Sequence, residues 1–302
     1  MQNCFIINTK AGKSSNLRRL ADGLRNTEAD FKIYRTKGQG DATRFIRKYC
    51  SEHPDEKIRF YACGGDGTLN EVVNGVVGFP NAEISVYPCG SGNDFVKYYG
   101  TGRFMDIERL IRAEAHPVDL IKIGDKYSIN VVNCGFDTYA CKTMNQIKRR
   151  PVIGGKNAYY CGVAKSVVCA MHTEALVYGD GELLNEDGSM LLCSVANGRY
   201  YGGSFMCAPL AENDDGLLEV CLVKPLSRIK FATLVKAYEK GEHLTDPRFA
   251  EYIVYRRCKK VQLQGGEGFA ITVDGELIEG TDFTCEIIKG GIKFAAPDYK
   301  TE

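Results

Sequence analysis

The chain has 302 residues, of which 44% are hydrophobic and 25% charged, and its formal net charge is +1. The near-neutral charge gives no overall field for nucleic acid, and no apolar run approaches the roughly 20 residues of a membrane span. The absence of a secretory leader and of any C-x-x-C pair among 13 cysteines, with only four histidines, favours free thiols in a cytoplasmic protein over a zinc site.

The first part of the chain alternates predicted strands and helices. Apolar runs bounded by turn residues indicate the strands, and apolar residues spaced three and four apart indicate the helices. This alternation predicts an α/β domain over residues 1–120 with a parallel sheet, whose ligands lie beyond the carboxyl ends of the strands. The predicted strands are 4–8, 31–34, 58–62 and 84–88, and the predicted helices contain 17–24, 41–49, 69–77 and 93–99.

The pattern changes near residue 117 to short apolar runs separated by glycine-containing turns. These runs predict an antiparallel β-sandwich or barrel over 121–302, with helical segments near 156–168 and 226–240. The last residues of the chain can pack back on the first domain. Two domains of this kind predict an active site in the cleft between them.

The first glycine-rich turn lies in "YACGGDGTLNE" (61–71), where Gly64, Gly65 and Gly67 surround Asp66. A strand, a glycine turn and a helix start together direct free N–H groups and the helix dipole at an anion. A tight turn that binds nothing explains the glycines equally well. The carboxylate favours a ligand, because it would repel bare phosphate unless a divalent cation lay between them.

The turn at the end of the first strand is "NTKAGKSS" (8–15). It imitates a phosphate-binding P-loop, but Ile7 occupies the position of the first glycine of that motif, so we reject a Walker-type site. A turn in which Ser14 or Ser15 caps the following helix is the structural alternative. The functional alternative keeps the same backbone and directs Asn8 and its neighbours at phosphate or ribose.

The third turn is "PCGSGNDF" (88–95), in which glycines precede Asn93 and Asp94. Either of these two residues would serve as a helix N-cap without any ligand. Three such turns at one sheet edge would instead form a cradle of backbone N–H groups, the hydroxyls of Thr68 and Ser91, and two carboxylates. Such a cradle outlines a nucleotide–magnesium site.

The order of these motifs resembles the diacylglycerol kinase catalytic domain family, which includes bacterial lipid kinases, sphingosine kinases and ceramide kinases. "GGDGTLNEVVNG" (64–75) is followed by a P-x-G-[ST]-x-N-D pattern, and the resemblance covers essentially the whole chain. Thr9 stands where the family has proline, and Ser91 where it usually has threonine. NAD kinases and phosphofructokinases also carry G-G-D-G turns, so later blocks are needed to separate them. Those blocks are 130–137, 195–203, 213–220 and 273–276.

The resemblance implies a role for each matching residue. The general base would be Asp274 or Glu276, acting with Asp66 at the catalytic site. Asp66, Asp94 and Asp119 would hold a catalytic Mg²⁺ through water. A second, structural Mg²⁺ would bind the Asp215 side chain and the carbonyls of Glu212 and Leu217. The implied ATP-binding residues are Asn8, Thr9, Lys10, Ala11, Gly12, Lys13, Thr36, Gly64, Gly65, Asp66, Gly67, Thr68, Leu69, Asn70, Glu71, Gly90, Ser91 and Asn93.

Several of these motifs also have plain structural interpretations. "VDGEL" (273–277) is an ordinary hairpin sequence, and the nearly identical "GDGEL" (179–183) is interpreted as a turn only. "AENDDG" (211–216) is a common loop sequence that needs no metal. The basic clusters 147–151 and 255–260 suit either a solvated face or anionic lipid headgroups. The apolar segment 158–171 suits a core helix, although the family lines its lipid cleft there.

The sequence therefore predicts an ATP- and Mg²⁺-dependent lipid kinase, with diacylglycerol as the favoured acceptor and phosphatidic acid as the product for phospholipid biosynthesis. The alternatives are a kinase of NAD or another soluble alcohol, and a non-catalytic nucleotide or lipid sensor. The four aspartates at 66, 94, 119 and 274 argue against a sensor. We expect ATP, a lipid alcohol and transient, peripheral membrane contact as partners, and no nucleic acid. An exposed edge strand in the second domain would permit a homodimer.

Overall fold

The computed structural model describes residues 1–10, 14–148 and 165–299. The chain divides into two compact units. The first comprises Met1–Leu120, Asn213–Gly216 and Ile288–Glu302, and the second comprises Ile121–Glu212 and Leu217–Ile287. No helix in the described ranges is long and apolar enough to cross a bilayer. The cysteines that the structure describes are all free thiols.

A parallel sheet with helical connections forms the first unit, as expected. Its strands are β1 (Gln2–Ile7), β2 (Phe31–Arg35), β3 (Ile58–Gly64) and β4 (Ala82–Pro88), and its helices are α1 (Ser14–Asn26), α2 (Asp41–Glu52), α3 (Asp66–Val76) and α4 (Ile107–Arg112). The strand order is β2-β1-β3-β4. β3 and β4 are buried along their whole length, as is usual for central strands of a parallel sheet. Near the end of the chain, Phe294 pairs in parallel with Ile84 of β4.

The predicted helix over 93–99 is wrong in type and start. The structure has a short 3₁₀ helix at Phe95–Tyr99, followed by another at Thr101–Met105. Asn93 adopts φ 51°, in the left-handed region, so a regular α-helix cannot begin there. The turn before the 3₁₀ helix is therefore held in a conformation of its own.

A buried ion pair connects the sheet of the first unit to α4. The Arg59 guanidinium lies against the Glu83 carboxylate, and both side chains are less than a tenth exposed. Arg59 also donates to the backbone carbonyls of Leu110, Ile111 and Ala113 at the end of α4. These bonds satisfy carbonyls that have no partner within the helix.

Antiparallel sheets dominate the second unit. Its strands, two of which (β5 and β19) begin or end in the first unit, are β5 (Ala115–Ile123), β6 (Lys126–Ser128), β7 (Val131–Gly135), β8 (Thr173–Gly179), β9 (Glu182–Leu183), β10 (Ser189–Met190), β11 (Leu192–Ala196), β12 (Tyr200–Tyr201), β13 (Phe205–Met206), β14 (Leu218–Val223), β15 (Ile253–Cys258), β16 (Lys260–Gly265), β17 (Ala270–Val273), β18 (Glu276–Glu279) and β19 (Asp282–Ala295). One sheet has the order β15-β14-β11-β7-β17-β18, and β10, β8, β16 and β19 are neighbours in another.

Apolar residues of both sheets pack into one core, so the expected β-sandwich is confirmed. Val132, Val195 and Val220 of the first sheet share this core with Val177 and Leu263 of the second. Helices α5 (Phe136–Lys148) and α6 (Arg228–Glu239) belong to the same unit. Two short 3₁₀ helices follow α6, at Glu242–Leu244 and Pro247–Phe249. The sequence reasoning missed β15, because its exposed arginines obscure the strand pattern.

Candidate active site

Two glycine turns of the first unit interlock at the carboxyl ends of β3 and β4. The carbonyl of Gly64 accepts hydrogen bonds from the N–H groups of Cys89 and Gly90, each at 2.9 Å. A Cβ added to Gly90 would lie 2.4 Å from the Cα of Gly65, which real structures do not tolerate. Glycine is therefore required at position 90 for the two backbones to approach.

The Asp66 carboxylate links these two turns. Its Oδ2 accepts from the N–H of Asn93 at 2.8 Å, and its Oδ1 accepts from the N–H of Asp94 at 2.6 Å. Asn93 in turn holds its own loop, since its side chain donates to the Gly90 carbonyl and accepts from the Gly90 N–H. A Cβ on Gly92 would lie 2.6 Å from Asp66 Oδ2. Asp66 is thus fixed in orientation at the first turn of α3.

The Asp94 carboxylate is buried and forms an ion pair with Lys97, one turn later in the chain. Lys97 therefore offsets part of the negative charge that Asp66 and Asp94 bring together. Within the described ranges, no three His, Cys, Asp or Glu side chains are grouped so as to hold a metal ion directly. A carboxylate offers about four lone-pair sites, and Asp66 uses two of them for backbone N–H groups. Carboxylate oxygens are the ligands that a divalent cation such as Mg²⁺ prefers, so the residue types at these turns fit such an ion.

The end of β1 is tied to the same turn. Asn8 donates its side-chain N–H to Thr68 Oγ1 at 3.2 Å, and its Oδ1 accepts from the N–H of Lys10. A Cβ on Gly64 would lie 2.2 Å from Thr68 Oγ1, so this glycine makes room for the threonine. Thr9 and Lys10 are exposed, whereas Ala11, Gly12 and Lys13 lie outside the described residues.

Glu71 contributes differently from the sequence expectation. Its Oε1 accepts from the N–H of Gly40 at 2.9 Å, and its Oε2 accepts from the N–H of Ala42 at 3.1 Å. Both oxygens therefore cap the N-terminus of α2, where unpaired N–H groups and the helix dipole favour a carboxylate. Thr36, at the end of β2, donates its N–H to the Ile7 carbonyl. The structure thus places Glu71 as a support for the loop after β2.

The remaining predicted nucleotide residues of the first unit differ in exposure. Gly67 and Ser91 are exposed, whereas Leu69 and Asn70 are buried in α3. A shallow depression, which encloses no room for a water molecule, is lined by Gly65, Asp66, Leu69, Val86, Asn93 and Val96. Three of the predicted residues thus share one small concave surface with Asp66.

Asp119 is fully buried and holds two glycine loops of the first unit. Its Oδ2 accepts from the N–H of Gly216 at 2.6 Å, and its Oδ1 accepts from the N–H of Gly290 at 2.7 Å. Burial raises the pKa of the carboxyl, and the two N–H groups oppose that shift. Asp215 adds to the rise, so the structure brings these two predicted metal residues of the first unit close together. Glu212 and Leu217, the other predicted ligands of the structural ion, belong to the second unit.

In the second unit, the Asp274 carboxylate holds the chain between β6 and β7. Oδ1 accepts from the Ser128 hydroxyl at 2.6 Å and from the N–H groups of Asn130 and Val131. Oδ2 accepts from the N–H of Ile129 at 3.1 Å. Asp274 itself has φ 47° and Gly275 has φ 88°, as in a tight hairpin turn. Glu276 begins β18 directly after this turn and is half-buried.

The hairpin at Asp180 is a close structural copy. Asp180 has φ 48° and Gly181 has φ 90°, and the Asp180 carboxylate accepts from the N–H groups of Lys259 and Lys260. The turn geometry therefore does not separate the two hairpins, as the sequence also could not. The two hairpins differ in one donor that the described structure gives to Asp274 and not to Asp180, the hydroxyl of Ser128.

An apolar pocket that the sequence reasoning missed also lies in the second unit. The space inside it that water-sized spheres can occupy is about 40 Å³, which is room for a few water molecules, and its mouth opens to solvent. The pocket is lined by Phe136, Asp137, Leu191, Leu192, Tyr201, Phe205, Val223, Leu226, Phe231, Leu234, Val235, Tyr238 and Phe249. The only signal in the sequence was the apolar helix pattern of 226–240, which does not identify the neighbours across the pocket.

The structure describes only part of the two basic clusters and the apolar segment that the sequence analysis singled out. Part of the cluster 147–151 and of the segment 158–171 lies outside the described residues. The cluster 255–260 lies on β15 and β16, with Arg256 and Arg257 exposed. Arg257 forms an ion pair with Glu219, and Lys260 with Glu286.

Comparisons with known proteins agree with this architecture. Residues 2–123 match the model of the Diacylglycerol kinase catalytic domain, and residues 130–295 match the YegS C-terminal NAD kinase beta sandwich-like domain. A diacylglycerol kinase of Bacillus subtilis is 27% identical over 90% of this chain and 88% of its own length. A protein of Chromohalobacter salexigens named "Probable lipid kinase YegS-like" is 26% identical over 97% of this chain and 93% of its own.

Solved structures from Bacillus anthracis str. Sterne show the same fold. One, described as a diacylglycerol kinase, is 24% identical with a TM-score of 0.68 and covers 98% of this chain and 96% of that chain. Another has a TM-score of 0.75 at 25% identity, over 98% and 97% of the two chains.

The domains and relatives together define an enzyme, a phosphotransferase that uses an alcohol group as acceptor. The chain belongs to the diacylglycerol kinase and lipid kinase family, and it joins a diacylglycerol kinase catalytic domain to a YegS C-terminal domain.

Proposed function

We propose that the protein is an ATP- and Mg²⁺-dependent lipid kinase that transfers the γ-phosphoryl group of ATP to the hydroxyl of diacylglycerol, giving phosphatidic acid. In this proposal the first unit binds ATP and the second binds the lipid. The observation that carries it is the Asp66 carboxylate, which joins two interlocked glycine turns at the carboxyl ends of β3 and β4. The relatives named diacylglycerol kinase support diacylglycerol as the acceptor.

ATP would bind the first unit along the β1, β3 and β4 turns. Exposed backbone at Gly67 and the exposed hydroxyl of Ser91 suit contacts to phosphate oxygens, and α3 begins at the same turn. Asp66, Asp94 and Asp119 would hold Mg²⁺ through water, and the ion would neutralise charge on the phosphoryl oxygens. The Asp94–Lys97 ion pair keeps the net negative charge of this group low enough for a triphosphate to approach.

The general base would come from the second unit. Four donors already hold the Asp274 carboxylate, so proton acceptance there would weaken the hydrogen bonds that hold it. We therefore assign proton acceptance from the lipid hydroxyl to Glu276, and assign to Asp274 the positioning of the hairpin that carries Glu276. A carboxylate within hydrogen-bond reach of the hydroxyl assists its attack on the γ-phosphoryl group.

The lipid would enter the apolar pocket of the second unit. Pockets lined by apolar side chains with few polar groups suit ligands with long hydrocarbon chains. Helix α6 lines this pocket through Phe231, Leu234 and Tyr238. At the start of the same helix, Ile229 is 81% exposed.

Peripheral membrane contact would use this end of α6. Arg228 donates to the carbonyls of Val167 and Val168 at 2.8 and 2.7 Å, which connects the segment of the exposed Val168 to the start of α6. Exposed apolar side chains flanked by cations are typical of residues that insert at the surface of an anionic membrane. Ile229→Glu should reduce sedimentation with phosphatidylglycerol vesicles while leaving the unfolding free energy unchanged.

The decisive experiment incubates the protein with labelled ATP, Mg²⁺ and separate acceptors: diacylglycerol, phosphatidylglycerol, sphingosine, undecaprenol and NAD. We expect label in diacylglycerol, and loss of that label when Mg²⁺ is chelated. Label in NAD alone would end the lipid proposal and establish the soluble-alcohol alternative. Nucleotide uptake without transfer to any acceptor would support a sensor.

A further inference from the structure

One carboxyl group interrupts the apolar wall of the pocket in the second unit. Asp137 lies in the first turn of α5, and it is the single acidic side chain among the described residues that line the pocket. Its Oδ2 is buried, although the residue as a whole keeps some exposure, and this oxygen has no hydrogen-bond partner in the described ranges. An unpaired polar atom in an apolar wall is unfavourable, so it indicates a group that a ligand would satisfy.

The surroundings favour the protonated form of this carboxyl up to about neutral pH. Burial raises the pKa of Asp137 to about 7, and a hydrogen bond with the Tyr201 side chain opposes the shift. Cys207, Cys221 and Tyr238 interact electrostatically with the carboxyl, and burial raises the pKa of each of them. Those three groups are neutral between pH 5 and 8.

The ring of His243 packs at a tilt against the ring of Tyr238, with centroids 4.7 Å apart. Burial lowers the pKa of His243 to about 4, so this neighbour is also neutral near pH 7. The groups named here therefore place no opposite charge beside the Asp137 carboxyl that would favour its ionised form.

We propose that Asp137 determines lipid specificity by donating a hydrogen bond from its carboxyl group to a carbonyl oxygen of the bound lipid. The pocket would then select acyl chains, which carry ester carbonyls, over alkyl chains joined by ethers. This inference rests on the proposed function, since it assumes that the pocket binds the lipid acceptor. A pocket built to pair with a polar atom rejects an analogue that lacks this atom more strongly than it rejects a change in hydrocarbon length.

The test measures equilibrium binding without ATP, so that it does not depend on catalysis. The ligands are the short-chain diester 1,2-dioctanoylglycerol and the matching diether 1,2-dioctylglycerol. We expect the wild-type chain to bind the diester about tenfold more tightly at pH 6, and this preference to shrink by pH 8.5 as the carboxyl ionises.

Two variants separate hydrogen bonding from shape. Asp137→Asn keeps a donor at every pH, so its preference for the diester should persist at pH 8.5. Asp137→Leu removes the donor, so it should bind both ligands equally at both pH values. Thermal unfolding verifies that each variant is folded, and the asparagine variant keeps the inference testable if the leucine variant does not fold.

Three results would overturn the inference in different ways. Equal binding of diester and diether by the wild-type chain would remove the role of Asp137 while leaving the kinase proposal intact. Tighter binding of the long-chain amine sphingosine as the pH rises would show that the ionised carboxylate is the recognising form. Binding of neither glycerolipid would remove the lipid pocket itself and with it the proposed acceptor.

Discussion

Asp66 and Asn93 are separated by 27 positions in the chain, yet the carboxylate of the first accepts the backbone N–H of the second at 2.8 Å. This bond and its neighbour at Asp94 fix the loop after β4 against the first turn of α3. The residue that would face the nucleotide's metal ion therefore also holds the two glycine turns together. Substitutions at these turns can therefore test stability and activity separately. For each test, the chain offers a residue at the turns and a matched control residue.

Gly90 and Gly67 differ in the space around their Cα atoms. Gly90→Ala would place a Cβ 2.4 Å from the Cα of Gly65, whereas nothing lies within 4 Å of a Cβ at Gly67. We expect Gly90→Ala to lower the free energy of unfolding in urea by about 1–3 kcal/mol, because overpacking forces the backbone to move. Gly67→Ala should leave it unchanged or raise it slightly. Equal stability of the two variants would show that the turns are not interlocked.

Asp66→Asn tests the carboxylate without changing its size. The amide N–H₂ would face an N–H group of Asn93 or Asp94, and one of the three carboxylate charges assigned to Mg²⁺ would be lost. We expect kcat with labelled ATP to fall by about 10²-fold or more. Asp22→Asn, at an exposed aspartate of α1, is the control and should keep the wild-type rate. Near-normal turnover by Asp66→Asn would contradict the assignment of this residue to the catalytic site.

Glu276→Gln and Asp274→Asn separate proton acceptance from positioning. Glu276→Gln should lower kcat by about 10²–10⁴-fold with little effect on thermal unfolding, because glutamine keeps the size of the side chain while it removes the proton acceptor. Asp274→Asn should also lower the unfolding free energy by about 1–3 kcal/mol, because it disturbs bonds from Ser128 and three backbone N–H groups.

Asp180→Asn provides the control for those two variants, since Asp180 occupies the same kind of turn and holds two backbone N–H groups. It should change stability modestly and leave kcat unchanged. A full rate in Glu276→Gln together with an inactive, fully stable Asp274→Asn would return the role of base to Asp274.

His243 should make the protein sensitive to acid. The imidazole is 3% exposed, and burial lowers its pKa from 6.5 to about 4, with the backbone of Cys207 opposing the shift. Between these two values the unfolded chain binds the proton more readily, so stability falls as the pH drops from about 6.5 towards 4. At pH 5 this histidine should account for about 2 kcal/mol of lost stability relative to pH 8.

The contribution of His243 is isolated by comparing His243→Phe with the wild-type chain at each pH. The difference in unfolding free energy should move in favour of the phenylalanine variant as the pH falls from 8 to 5. Asp137 acts in the opposite direction, because its raised pKa makes the folded state the better proton acceptor between about 4 and 7. It is present in both chains and cancels in the difference. His172→Phe, at an exposed position, controls for the loss of one imidazole.

Local patterns explain which parts of the fold could be predicted. Buried strands such as β3 and the apolar stripe of α3 are recorded in the spacing of apolar residues, and the structure has both. β15 was missed because an edge strand carries exposed arginines that break the alternation. The helix expected from residue 93 was wrong because Asn93 is held at positive φ by contacts with a turn far away in the chain.

In the candidate site, too, the sequence identified some residues and missed others. The glycines and aspartates of the turns could be identified because their order along the chain resembles a family. Glu71 could not be recognised as the cap of α2, since its partners Gly40 and Ala42 are 31 and 29 residues away. Asp137 carried no signal either, because its environment is formed by strands and helices that come later in the chain. Long-range contacts of this kind are absent from any local pattern.

The first unit is assembled from three separate stretches of the chain, the last of which starts at Ile288. β4 is synthesised about 200 residues before Phe294, which pairs with it in parallel. This edge of the sheet therefore lacks its neighbouring strand during most of synthesis. The Oδ1 of Asp119 likewise gains its hydrogen bond from the Gly290 N–H only after Gly290 has been synthesised. The first unit therefore completes its folding only after translation has passed Gly290, and expressing residues 1–120 alone should yield an aggregation-prone fragment.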